Sequence, residues 1–149
     1  MAGRFRFRLE PLRKLREALE RDAERTLART LKAEREARLY LESLESKRLA
    51  LFEGRRLPAG QPVDLELLRA GERYLVVLER LQIEGYERVR LASTQVAAAR
   101  EALVLAHRNH LMLVRLKERR ALLHLQEEQR RETIEMDELA ILRHQRPTA

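Results

Sequence analysis

Small and apolar side chains recur along this chain in alternating steps of three and four, over two long stretches separated by a short break. The first ladder runs Leu12, Arg16, Leu19, Ala23, Thr26, Thr30, Ala33, Ala37, Tyr40, Leu44, Lys47 and Leu51, with Leu15, Leu27, Leu31 and Leu41 widening the stripe. The second runs Leu68, Gly71, Leu75, Leu78, Gln82, Gly85, Val89, Ala92, Val96, Ala99, Leu103, Ala106, His110 and Leu113. This spacing is the period of a left-handed coiled coil. Glu17 with Arg21, and Glu34 with Arg38, form i,i+4 pairs on the polar side.

The prolines punctuate the same two stretches. Pro11, Pro58, Pro62 and Pro147 stand at the edges, and residues 12–57 and 63–146 contain none. A proline inside a helix costs roughly 3 kcal/mol, so its exclusion outlines two helices. The expected fold class is all-α: a long two-helix antiparallel coiled-coil hairpin forming a single domain over residues 1–149. Helix one is expected at about 5–53, with Pro11 in its first turn. Gly54 would stop it in the left-handed conformation. Residues 54–63 form the turn, and helix two occupies about 64–143. Asp64 is placed to cap helix two, with Val63 and Leu68 as a hydrophobic staple. Gly71 and Gly85 share one stripe and predict close packing against larger residues of helix one, such as Leu44 and Leu31, rather than a hinge.

Length gives the hairpin a tail. At 1.5 Å per residue helix one measures roughly 70 Å and helix two roughly 120 Å, so about 30 residues of helix two overhang. Residues 126–133 carry no apolar side chain, which agrees with a loss of pairing. Beyond them Ile134, Met136, Leu139, Ala140, Ile141 and Leu142 form an apolar cluster among Glu135, Asp137 and Glu138. An apolar cluster on an unpaired helix reads as a docking surface. The competing reading folds it back on Phe5, Phe7 and Leu9. The hairpin is expected to be a monomer by itself.

Composition narrows the function. Charged residues make up 37% and aromatics 4%, too few aromatics for a compact globular core and in keeping with a coiled coil. The sustained periodicity argues against disorder. Cysteine is absent, so no disulfide or thiolate site is available. No apolar run reaches the length of a membrane span, so no direct membrane insertion is expected. The N-terminus lacks the apolar core of a signal peptide. The formal charge of +7 admits nucleic acid, anionic lipid or an acidic protein as partner. Its cations are interspersed with acids, though densest over residues 4–29, so no nucleic-acid partner is expected.

Nothing here supports catalysis. His107 and His110 lie three apart, half of a metal site that no carboxylate or cysteine of the same helix completes. No glycine-rich phosphate loop is present, and Ser93-Thr94 has no base pattern beside it. The chain reads as a non-enzyme without cofactor or metal.

The motifs resemble one family. Phe5-x-Phe7-x-Leu9-Glu10-x-Leu12 is similar to the Phe-x-Phe-x-Leu-x-x-Leu opening of the flagellar export protein FliJ. Gly60, Val63, Tyr74 and Leu78 resemble that family's loop and the aromatic–aliphatic pair that follows it. Leu116-Lys117-Glu118-Arg119-Arg120, and then Glu135-Met136-Asp137-Glu138-Leu139-Ala140, resemble its closing signature. The seam of helix one departs from the pattern, being rich in Ala and Thr from Ala23 to Ala37. The resemblance implies a stalk-like coupling component of the flagellar type III export apparatus, serving flagellum biogenesis, motility and chemotaxis. It places the chain in the cytoplasm, at the inner face of the membrane near the flagellar base. Its implied partners are the hexameric export ATPase, the cytoplasmic part of the export gate protein FlhA, and export chaperones. The residues expected to meet the ATPase ring are Arg4, Arg6, Arg8, Arg13, Arg119, Arg120, Arg130, Arg131, Met136 and Leu139. Those expected to meet the gate are Tyr40, Leu44, Tyr74 and Leu78. An injectisome stalk homologue and a basic coiled-coil adaptor for nucleic acid are the alternatives.

Overall fold

The computed structural model describes residues 3–55 and 60–146; Leu57, Pro58 and Pro147 lie outside them. Two long helices pack against each other, α1 (Glu10–Gly54) and α2 (Leu65–Gln145), and the described residues contain no strand. The chain divides into two compact units. One comprises Met1–Arg21 with Leu105–Ala149, the other Asp22–Val104.

The ends of the helices follow local chemistry. Helix α1 begins at Glu10 rather than near residue 5, and Pro11 falls in its first turn, where its missing N–H has no helical partner to lose. Residues 3–7 are instead irregular. In that stretch Phe5 and Phe7 alternate with the exposed Arg4, Arg6 and Arg8, and Phe7 is buried. A period of two belongs to extended chain, not to helix.

Gly54 is the last residue of α1 and does not take the left-handed conformation; among the described residues only Gly60 has positive φ, at 97°. The final turn tightens instead, with the Arg55 N–H donating to the Phe52 carbonyl at 3.2 Å. At the start of α2, Asp64 Oδ1 accepts from the N–H of Glu66 at 3.0 Å and of Leu67 at 3.4 Å. This is the side-chain cap that the residue type implies.

In the Asp22–Val104 unit, the closed part of the seam holds Ala37 and Leu44 from α1 against Leu78, Gln82, Gly85, Ala92, Val96 and Ala99 from α2. Leu44 and Leu78 are the most completely enclosed, at 2% and 1% exposure. The second ladder is as read from the sequence. The first is half displaced. Ala23, Thr30, Ala37, Leu44 and Leu51 do turn inward, but their partners on the stripe are Leu27, Glu34, Leu41 and Arg48, not Thr26, Ala33, Tyr40 and Lys47. The cause is charge. Glu34 and Arg48 stand at seam positions and are satisfied from the facing helix, so a search for apolar rungs steps past them to their neighbours.

The two helix glycines differ in their surroundings. A Cβ on Gly85 would lie 3.1 Å from Leu41 Cδ1 and 3.9 Å from Leu44 Cδ1, so this glycine permits close approach. A Cβ on Gly71 would find Arg55 Nη2 at 3.5 Å and Leu51 Cδ1 at 3.6 Å, which is ordinary contact. Neither has Leu31 among its nearest neighbours. Gly71→Ala should therefore raise stability by roughly 0.5–1 kcal/mol through helix propensity. Gly85→Leu should lower it by about 1–3 kcal/mol through overpacking. Thermal melts followed by circular dichroism check both, and equal responses would show that neither position senses the seam.

Candidate interaction surfaces

The unit formed by Met1–Arg21 and Leu105–Ala149 contains all the residues expected to meet an ATPase ring. Its irregular N-terminal arm lies on α2. The Phe5 and His124 rings are 5.6 Å apart, and the Arg120 guanidinium lies 5.9 Å from the Phe7 ring. His124 Nε2 donates to the Gly3 carbonyl at 2.8 Å. Further along, Lys117 pairs with Glu10 at 2.9 Å. The arm thus covers α2 near residues 120–124, and the aromatics are spent there rather than on the apolar cluster beyond.

From residue 129 to the end of α2 at Gln145 every side chain is exposed, as is Arg146. Met136 and Leu139 are 68% and 52% exposed, and Arg130 and Arg131 form no ion pair among the described residues. At 3.6 residues per turn, Ile134 and Ile141 share one side of this helix. Met136 and Ala140 share the opposite side, Leu139 and Leu142 occupy the flank between with Glu135, Glu138 and Arg143 interspersed among them, and Asp137 and His144 take the remaining flank. Arg4, Arg6, Arg8 and Arg119 are exposed. Arg13 is not free: it binds Glu10 at 2.6 Å and Glu17 at 3.4 Å within its own helix.

The same unit holds a polar cluster that reading one helix at a time missed. Glu20 of α1 receives His107 Nδ1 on Oε1 at 2.8 Å and His110 Nδ1 on Oε2 at 2.5 Å. The carboxylate that the two histidines lacked comes from the facing helix. Glu20 is only 15% exposed, and the His107 and His110 hydrogen bonds hold its pKa below the usual carboxylate value. His110 Nε2 is buried without a partner among the described residues. No cluster among the described residues is arranged to hold a metal ion.

The Asp22–Val104 unit contains the four residues expected at the gate, and they split into two pairs. Leu44 and Leu78 are seam residues and present no surface. Tyr40 and Tyr74 are 39% and 44% exposed. The Arg88 guanidinium lies 5.6 Å from the Tyr40 ring. Polar seam contacts recur here as well. Ser93 Oγ donates to Glu34 Oε1 at 3.3 Å, and Arg48 Nη1 donates to Gln82 Oε1 at 3.5 Å with Glu79 3.9 Å away. Glu34 also receives Arg38 from its own helix. The signal that could have found these contacts is an acid or arginine at a rung position facing a hydroxyl, amide or imidazole at a rung of the other ladder.

Glu10 gives a pH signature. The hydrogen bonds from Arg13, and then from Lys117, hold its pKa down to about 2 from 4.5. A depressed carboxylate stabilises the fold above its unfolded pKa and loses that contribution as pH falls through the folded one. Stability contributed by this contact should therefore decline between pH 4.5 and about 2. Glu10→Gln should flatten that part of the pH dependence. Identical acid titrations of helicity for the two proteins would exclude the effect.

Among the described residues no helix is long and apolar enough to cross a membrane. No curated protein and no solved structure matches the chain. The family model described as "Flagellar FliJ protein" matches residues 5–149, from the aromatic arm to the exposed end of α2. The chain therefore belongs to the FliJ family, components of the flagellar export apparatus.

Proposed function

We propose that this chain is a stalk and coupling component of flagellar protein export, entering the central opening of the hexameric export ATPase and contacting the cytoplasmic part of the gate protein FlhA. The observation that carries the first part is the end of α2. Over residues 129–146 it has no covering, yet its apolar side chains occupy two opposite sides and the flank between them. A helix with one apolar stripe can lie on a surface; one whose apolar side chains are spread over several sides, with charges between them, can meet walls on more than one side at once. A ring lumen encloses a helix in this way. The exposed Arg130 and Arg131, with Arg4, Arg6, Arg8 and Arg119 nearer the arm, add attraction that tolerates many angles of approach.

For the gate, Tyr40 and Tyr74 are the available contacts, since each offers an exposed ring with a polar edge. Leu44 and Leu78 support them from the seam.

Deleting residues 129–149 should abolish stimulation of the cognate export ATPase while the seam contacts of both units remain in the chain. Steady-state ATP hydrolysis with and without the truncated protein is the measurement, and undiminished stimulation would refute this assignment of the end of α2. Charge reversal at Arg130 and Arg131 should weaken stimulation in the same direction as added salt. Tyr74→Ala should weaken gate binding by roughly tenfold or more, while stability changes by no more than about 0.5 kcal/mol. A fall in melting temperature with unchanged gate affinity would assign Tyr74 to packing instead.

A further inference from the structure

Arg55 follows the last residue of α1, and its guanidinium lacks the partners its chemistry requires. Nε and Nη2 are both buried and have no hydrogen-bond acceptor among the described residues. The side chain packs between the Phe52 ring, whose centroid is 5.8 Å from its Cζ, and Gly71, where a Cβ would stand 3.5 Å from Nη2. Nε–H and one Nη2–H form the side-on fork of a guanidinium, the edge that receives both oxygens of a carboxylate.

Arg55 also lines a hollow of about 490 Å³ within the Asp22–Val104 unit. The rest of the lining is mostly apolar and includes Leu51, Val63, Leu67, Leu68 and Tyr74. Among the described residues Asp64 is the one acid in the wall. Its Oδ1 is engaged by the Glu66 and Leu67 N–H groups at the start of α2, and it forms no ion pair with Arg55. A cation with idle donors beside an apolar cavity is complementary to an anion that carries apolar groups.

We propose that this hollow binds a partner peptide segment in which an aspartate or glutamate stands between aliphatic side chains. The carboxylate engages Nε and Nη2 of Arg55, which turns from its place against Gly71 to meet it. The aliphatic groups fill the space beside Leu51, Leu67 and Leu68. A bare inorganic anion would satisfy the fork but leave the apolar walls wet. A purely apolar segment would fill the walls but leave the donors idle.

Tyr74, proposed above as a gate contact, also lines this hollow, so the site adjoins that surface without resting on it; its test uses no export partner, so either can fail alone. The probe is an acetylated, amidated leucyl-aspartyl-leucine tripeptide, titrated into the full-length protein while the Arg55 Nε–Hε resonance is followed by NMR. The comparison ligands are the asparagine-containing counterpart and inorganic phosphate. A saturable shift with the aspartyl peptide is expected, with affinity at least about tenfold weaker for the asparaginyl peptide and for phosphate. Arg55→Gln should remove binding. Arg55→Lys, which keeps the charge without the fork, should weaken it by about tenfold. Absence of a saturable shift would overturn the proposal. So would equal binding of both peptides, phosphate binding as well as the peptide, or unchanged binding by Arg55→Gln in a protein with native helicity.

Discussion

Much of the structure turns on partly buried polar groups: an acid or arginine placed in a helix seam finds a partner on the facing helix, in places alongside one on its own. Glu34 meets Ser93, and two heptads along Arg48 meets Gln82 and Glu79. In the other unit Glu20 meets His107 and His110, and Glu10 meets Lys117. Stripes of Ala and Leu repeat every heptad and by themselves mark the register weakly, apart from the close fit of Gly85 against Leu41. The polar pairs would not survive a slip of one heptad: Glu20 would lose both of its hydrogen bonds, while Glu34 and Glu10 would keep only Arg38 and Arg13 of their own helix. Packing between the helices supplies adhesion, and these contacts choose among the registers that adhesion allows.

The layout was legible in the sequence because it rests on signals that act locally. Proline marked the helix edges, Asp64 marked a cap, and the second ladder needed only the spacing of apolar residues. The first ladder was legible in half. Glu20, Glu34 and Arg48 look like solvent-facing residues until the opposite helix is present, and their satisfaction is a property of the pair. The arm departs from the helical expectation for a different reason. Phe5 and Phe7 alternate with arginines over too short a stretch to outweigh the helical pattern that follows, although the alternation itself was the extended-chain signal.

Among the proposed contacts, the sequence could select stripes but not depth. Tyr40 and Leu44 are one turn apart, as are Tyr74 and Leu78, and in each pair the leucine is enclosed while the tyrosine is open. A turn of helix does not return to the same angle, so a residue four positions on can pass from flank to seam. Arg13 likewise resembles its neighbours Arg4, Arg6 and Arg8 in type, but helical spacing gives it Glu10 and Glu17, which the irregular arm denies the others.

The end of α2 is helical although every described side chain from residue 129 onward is exposed. An isolated peptide of that length would be mostly unfolded in water, because the first turn costs more than it returns. Here nucleation has already occurred upstream, where the N-terminal arm clamps α2 near His124. The exposed residues only propagate an existing helix, at little cost per residue. The arm therefore acts as a template for order it does not touch. A partner that closes around this end meets a preformed helix and is spared the entropy of folding it.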